Sequence, residues 1–180
     1  MRIIFFINDL SKGGKERQFI EIVKYIHVNY NVKCQVVLFN NTIKYNELDY
    51  YDISINVLGE TNESSILKIF RFQKIIKDFK PDVVHTFIGI CTLITSMVRF
   101  FTKSFKIIDN SVRGVQKNRQ YGIKKIFIDK INFFFSDKIV GNSYAGLKSY
   151  GVPHNKGLVI YNGYDFSRNN NLVNKDIIRK

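Results

Sequence analysis

Short apolar runs alternate along this chain with stretches whose apolar positions recur at helical spacing. The first run, Arg2 to Ile7, is continuous, as a strand buried on both sides should be. Behind it Phe19, Ile22, Val23 and Ile26 share a helical face, with Gln18, Glu21 and Lys24 turned outward. The same alternation predicts strands at Val32–Phe39, about Ile53–Leu58, Asp82–Phe87, Lys106–Asn110 and Asp137–Ser143. It predicts helices at Glu63–Phe79, about Gly89–Phe101 and about Gly122–Phe135, the first of them stopped by Pro81. A short helix to Tyr150 and the run GLVIYNGYD close the series. Strand and helix in turn predict an α/β fold, doubly wound, with a mostly parallel sheet and helices on both faces. Residues 1–165 are expected to form this one domain, and 166–180, polar and rich in Asn and Lys, a tail or linker.

Composition sharpens the picture. With 180 residues, 45% of them hydrophobic, the chain can bury one core. A net charge of +13 predicts attraction to phosphate-bearing partners: nucleic acid, nucleotides or an anionic membrane face. Cys34 and Cys91 stand apart in apolar surroundings, which predicts buried thiols in a reducing, cytoplasmic compartment. His27, His85 and His154 offer no convincing metal cluster, so neither metal nor cofactor is expected. The apolar start stops at Asn8 and Asp9, too short for a signal-peptide core or a membrane span. The stretch Phe87–Val98, interrupted by Gly89, Thr92, Thr95 and Ser96, reads as a buried helix.

The candidate chemistry lies at the ends of the predicted strands. In NDLSKGGKERQF, Gly13 and Gly14 follow the first strand and open a helix, where unpaired N–H groups face outward. Two glycines there either form a tight turn or let a phosphate approach the backbone. The segment is neither the G-x-G-x-x-G dinucleotide fingerprint nor a P-loop. Asn142 and Ser143 close the sixth strand, to cap the next helix or to bind a sugar. Between the fifth and sixth strands Arg113, Lys117, Arg119, Lys124, Lys125, Lys130 and Lys138 are interleaved with aromatics. That segment suits a membrane interface, or a helix whose Phe127, Ile131 and Phe134 pack on the sheet while its lysines are solvated. The packed arrangement is the one expected for most of those aromatics. No RNP-type, zinc-spaced or helix-turn-helix signature accompanies the charge, so a nucleic-acid-binding module is the alternative and not the preferred reading.

Taken together, GGKERQF, KPDVVHTF, KIVGNSYAGLKSYGVP and VIYNGYD resemble, in order and rough spacing, the N-terminal domain of GT-B glycosyltransferases, in particular the retaining glycosyltransferase family 4. The resemblance spans residues 1 to about 165 and implies one Rossmann-like half of a two-domain enzyme. It implies transfer of a sugar, with retention, from a nucleotide-diphosphate donor to a glycan or lipid-linked acceptor in cell-envelope polysaccharide assembly. By the same resemblance Gly13 and Gly14 approach the donor diphosphate, and His85 lies near the donor sugar and acceptor, as a neutral hydrogen-bonding group or as a cation. Many relatives carry a second His two residues on, where this chain has Phe87. Arg113 is the candidate for an anionic acceptor group, or else makes a surface ion pair. Asn162, Gly163 and Asp165 match a segment leading toward the second domain, or form a plain turn. The family's second domain carries a Glu-x7-Glu motif, and none of Glu16, Glu21, Glu47, Glu60 or Glu63 has a Glu eight positions later. The chain is therefore expected to have little activity alone, to need a separate donor-binding domain, or to be a non-catalytic remnant. Weak peripheral contact with an anionic membrane is a further expectation.

Overall fold

The computed structural model describes residues 1–45, 47–102, 104–112, 114–115 and 122–163. Its elements are β1 (Arg2–Ile7), α1 (Gly14–Asn29), β2 (Lys33–Leu38), a 3-10 turn (Glu47–Tyr51), β3 (Ser54–Val57), α2 (Ser65–Phe79) and β4 (Val83–Thr86). They continue with α3 (Gly89–Thr102), β5 (Lys106–Asp109), α4 (Ile123–Phe135), β6 (Lys138–Gly141), α5 (Tyr144–Tyr150) and β7 (Gly157–Val159). The seven strands form one sheet in the order β3-β2-β1-β4-β5-β6-β7, and all its pairings are parallel. This is the expected Rossmann-like α/β fold. β1 pairs with β2 on one side and, across a long sequence separation, with β4 on the other, Ile3 facing Val83 and Phe5 facing His85.

β1 is covered on both faces, and the alternation of its side chains divides the core in two. Ile4 and Phe6 join Phe72 and Ile76 of α2 and Cys91, Ile94 and Val98 of α3. Ile3, Phe5 and Ile7 join Phe19, Ile20 and Val23 of α1. Phe6 stacks on Phe72 with ring centroids 4.6 Å apart, while Phe5 meets Phe19 edge-on at 6.3 Å. A smaller cluster of Val112, Phe133, Ile139 and Leu147 holds α4 and α5 against β6. Gly141 permits that approach, because a β-carbon there would lie 2.7 Å from Cδ2 of Leu147. α5 ends at Gly151, whose φ of 69° places it in the left-handed region that favours glycine.

α4 turns a different face to the sheet from the one expected. Phe133 is buried beside Asn132 and Ser136, whereas Phe127 and Phe134 are 64% and 75% exposed. The expectation that Phe127 and Phe134 pack on the sheet is therefore corrected. Polar bonding sets the rotation. Nδ2 of Asn132 donates to the carbonyl of Gly89 at the start of α3 (2.9 Å), and Oγ of Ser136 donates back to the carbonyl of Asn132 (2.7 Å).

Asp137 ties this half together. Its Oδ2 accepts from Nη1 of Arg99 at 2.5 Å and from the backbone N–H of Ile107 at 2.9 Å, and Nζ of Lys106 lies 3.3 Å from Oδ1. Burial works against its charge, but the Ile107 N–H, the Arg99 guanidinium and Lys106 together hold the carboxyl below its ordinary value. Its contribution is therefore complete above the ordinary value of 3.8 and is lost as the pH falls below it. Asp137→Asn is expected to lower unfolding free energy by about 1.5–3 kcal/mol at neutral pH, as for hydrogen bonds to charged groups. Urea melts of both proteins should converge as the pH is taken down through that range.

Candidate functional site

The strand order reverses between β1 and β4. Connections leave β1 toward β2 and leave β4 toward β5, so a crevice opens at the carboxyl ends of these two strands, where ligands of doubly wound sheets bind. The loop from β1 into α1 forms one lip. It is held down by Leu10, fully buried, whose N–H donates to the carbonyl of Thr42 and whose carbonyl accepts from Lys44. Oδ1 of Asp9 accepts the N–H of Ser11 at 2.9 Å, and Nδ2 of Asn8 donates to Oδ2 of Asp9. Nδ2 of Asn40 donates to Oδ1 of Asn8 at 3.3 Å, and the buried Nζ of Lys68 donates to Oδ1 of Asn40 at 2.7 Å. The ammonium of Lys68 also lies 4.3 Å from the centre of the Phe39 ring.

α1 starts without a side-chain cap. Gly13 occupies the cap position in extended conformation, φ −166°, which any residue adopts, and the Glu16 carboxylate stands against its Cα. Gly14 is different. A β-carbon there would meet no atom within 4 Å, so its smallness leaves room outside the chain rather than inside it. The space over Gly14 is therefore open, while the Glu16 carboxylate stands beside it at the positive end of α1.

Below this lip lies a charged cluster that the sequence did not single out. Asp109, at the end of β5, is fully buried; its Oδ1 accepts from Oγ1 of Thr92 (3.0 Å) and the N–H of Ser111 (2.8 Å). Thr86, at the end of β4, adds a hydroxyl contact to Thr92 at 2.8 Å. Burial pushes the Asp109 carboxyl up, against the pull of the Ser111 and Thr92 bonds and of the Lys15 charge. Lys15, in the first turn of α1, acts in the same way on the thiol of Cys91, as Asp9 acts in the opposite sense. An Asp closing an apolar strand, in KIIDN, was the available signal for this cluster.

His85 is the next-to-last residue of β4 and points to the α1 side of the sheet. Its ring lies 5.8 Å from Phe5 and 4.4 Å from Phe87. The residue keeps some surface, but Nε2 is buried with no hydrogen-bond partner among the described residues. Burial pushes the imidazole down to about 3. It is neutral near pH 7, which favours the neutral hydrogen-bonding group of the two alternatives the sequence left open. Oγ of Ser143 caps α5, accepting from the N–H of Gly146 at 3.0 Å, and Oδ1 of neighbouring Asn142 is buried without a partner among the described residues. Gly13, Gly14, His85, Asn142 and Ser143 thus share one edge of the sheet. β6 stands three strand spacings from β1, roughly 14 Å. Asn162 and Gly163 follow β7 and are exposed. Arg113 and Asp165 lie outside the described residues, as do residues 166–180. Among the described residues no three or more of His, Cys, Asp and Glu group to hold a metal.

No protein-family profile matches the chain. It is 26% identical over 158 residues to a protein of Amsacta moorei entomopoxvirus named "Putative tyrosine-protein phosphatase AMV078", covering 80% of this chain and 93% of that one. The thiols here are not set up as nucleophiles: burial raises both Cys34 and Cys91, whereas a reactive cysteine is held down as thiolate. Among solved structures the chain is similar to Anabaena Alr3699/HepE in complex with UDP and glucose, with TM-score 0.74 and 16% identity over 93% of this chain and 46% of that one. It is similar to the apo form of the lipopolysaccharide outer core galactosyltransferase WaaB, with TM-score 0.70 and 17% identity over 92% and 47%. The UDP-GlcNAc 2-epimerase from Methanocaldococcus jannaschii follows, with TM-score 0.65 and 13% identity over 89% and 45%. The chain spans about half the length of these proteins. What it shares with them is the fold: a Rossmann-like half-domain of the kind found in GT-B glycosyltransferases and in nucleotide-sugar epimerases.

The depressed imidazole of His85 has a signed consequence for stability. Between the ordinary value of 6.5 and about 3 the unfolded chain binds a proton that the folded chain refuses, so acidification over this range destabilises the fold. His85→Leu is expected to lose less stability between pH 7 and pH 4 than the wild type in urea melts. Parallel pH profiles would show that His85 is charged in the folded protein.

Proposed function

We propose that this chain is the acceptor-side half of a GT-B glycosyltransferase that moves a sugar from a nucleotide-diphosphate donor to a hydroxyl of a glycan or lipid-linked acceptor, in cell-envelope polysaccharide synthesis. The observation that carries the reading is the uncapped start of α1, with open room over Gly14, at the crevice between β1 and β4. The likeness in fold to a protein holding UDP and glucose supports it.

In such a transfer the bond between the anomeric carbon and the diphosphate oxygen breaks, and its electron pair leaves with the nucleoside diphosphate. An acceptor hydroxyl oxygen bonds to the same carbon and releases its proton. Negative charge grows on the leaving group, where the positive end of α1 stabilises it. An imidazole at about 3 is a poor base, so His85 serves as a neutral hydrogen-bonding group beside the sugar. The departing phosphate oxygen then takes the acceptor proton on the same face of the sugar, which retains configuration. Arg113 contacts an anionic group of the acceptor, and Asn142 contacts a sugar. The segment Asn162, Gly163 and Asp165 leads toward the donor-binding half, which closes the cleft and is carried by a separate segment or polypeptide.

Gly14→Ala separates fold from function. Ala is favoured over Gly in a helix by up to about 1 kcal/mol, so the variant should melt at the same or a higher temperature than the wild type. With a donor-binding half supplied, the variant is expected to transfer sugar from a UDP-sugar about tenfold or more slowly than the wild type, as for loss of charge stabilisation at the leaving group. Equal rates would remove the site from Gly14. Sugar transfer from a UDP-sugar is expected only when a donor-binding half is supplied, and full turnover by this chain alone would refute the half-site reading.

A further inference from the structure

We infer that an anion settling over Gly14 is bound together with a proton, which the carboxyl of Asp109 takes up beneath it. The anion is the diphosphate of the sugar-transfer reading, on which this coupling rests. Asp109 ends β5 and has no accessible surface. Its two oxygens are treated unequally. Oδ1 accepts from Oγ1 of Thr92 and from the N–H of Ser111, whereas Oδ2 is buried with no partner among the described residues. A hydrogen bonded to Oδ2 cancels a buried charge and leaves both contacts of Oδ1 in place.

The surrounding charges decide when that proton binds. Burial, the largest influence, raises the carboxyl, while the Ser111 and Thr92 bonds and the charge of Lys15 lower it. Lys15 is the residue after Gly14, in the first turn of α1. Cys91, in the first turn of α3, is acted on by Lys15, Asp9 and Asp109 together, so three charges share one neighbourhood under the lip. Its own thiol is raised well above the ordinary value by burial and stays uncharged. From β4 and α3 the facing groups are the neutral hydroxyls of Thr86 and Thr92. From the β1 loop and α1 they are Asp9 and Lys15, with Glu16 standing against Gly13. An anion at the positive end of α1 draws on Lys15 and repels these carboxylates. Asp109 is the carboxyl that burial has already raised, so it is the one that yields: a proton from solvent bonds to Oδ2 and removes one negative charge from the crevice floor. Anion and proton then strengthen each other's binding reciprocally. Binding is therefore strongest where Asp109 is protonated and weakens as the pH rises, a dependence that the fixed dipole of α1 would not give.

Carbon-detected magnetic resonance follows the carboxyls of Asp109 and Glu16 separately. The full chain is titrated between about pH 4 and about pH 8, with and without inorganic pyrophosphate, at constant ionic strength. Pyrophosphate is expected to raise the Asp109 midpoint by about one pH unit, equivalent to about tenfold tighter binding to the protonated than to the charged form. Asp109→Asn cannot take the proton. Calorimetry in two buffers of different ionisation heat should show fewer protons taken up by this variant than by the wild type, since the titration of pyrophosphate itself is common to both. Thr92→Val keeps the carboxyl but removes a bond to its charged form, so its midpoint without pyrophosphate should lie above that of the wild type. An Asp109 midpoint unmoved by pyrophosphate, a rise at Glu16 in its place, or a failure of pyrophosphate to bind would each overturn the proposal. Sugar transfer enters none of these measurements. A chain that couples pyrophosphate to Asp109 yet fails to support transfer with a donor-binding half loses the transferase reading alone.

Discussion

β1 is buried on both of its faces, and most of the structure answers that requirement. From Ile4 to Ile7 no side chain of the strand retains accessible surface. α1 covers one side, and α2 and α3 the other, dividing the apolar side chains into two cores. A strand in the middle of a parallel sheet cannot be reached by short turns on both sides, so the chain must wind outward in two directions from it. The crevice between β1 and β4 is the geometric residue of that reversal. It exists because of how the sheet is covered, before any particular ligand is considered.

Several of the polar side chains around the crevice are bound to one another. Lys68, Asn40, Asn8 and Asp9 form one hydrogen-bonded run across the ends of β2 and β1. Asp109, Thr92 and Thr86 form another across β5 and β4. Burying charge is costly unless it is compensated, and at Asp109 the compensation is partial, since its Oδ2 has no partner among the described residues and burial raises the carboxyl. Over Gly14 a β-carbon would meet no atom within 4 Å.

The strands were legible because apolar residues crowd into short runs, and a buried parallel strand requires just that. The start of α1 was legible for a similar reason, since paired glycines behind a strand have few other uses. α4 was not. Its apolar residues lie on more than one side, so periodicity alone could not choose among Phe127, Ile131, Phe133 and Phe134. The choice was made by Asn132 and Ser136, whose polar groups found partners inside. Lys68 and Asp109 were hidden in the same way: a charged residue reads as surface until a distant acceptor or hydroxyl is known to lie beside it. Thr92 looked like an interruption of an apolar stretch and instead donates to the Asp109 carboxyl, with Thr86 in contact with its hydroxyl. His85 was visible as a strand-end residue, but its neutrality follows from Phe5 and Phe87 closing over it, which only the register of β1 against β4 establishes.

That register also governs how the molecule comes into being. Ile3 of β1 pairs with Val83, and the N–H of Arg2 donates to Asp82, eighty positions away along the chain. At synthesis rates of roughly 5–20 residues per second, the newborn β1 waits roughly 4–16 s before its second neighbour leaves the ribosome. For that interval the most apolar strand is a half-finished sheet with one unpaired border, the state in which nascent chains recruit chaperones or stick to each other. Closing so large a loop is also slow in its own right.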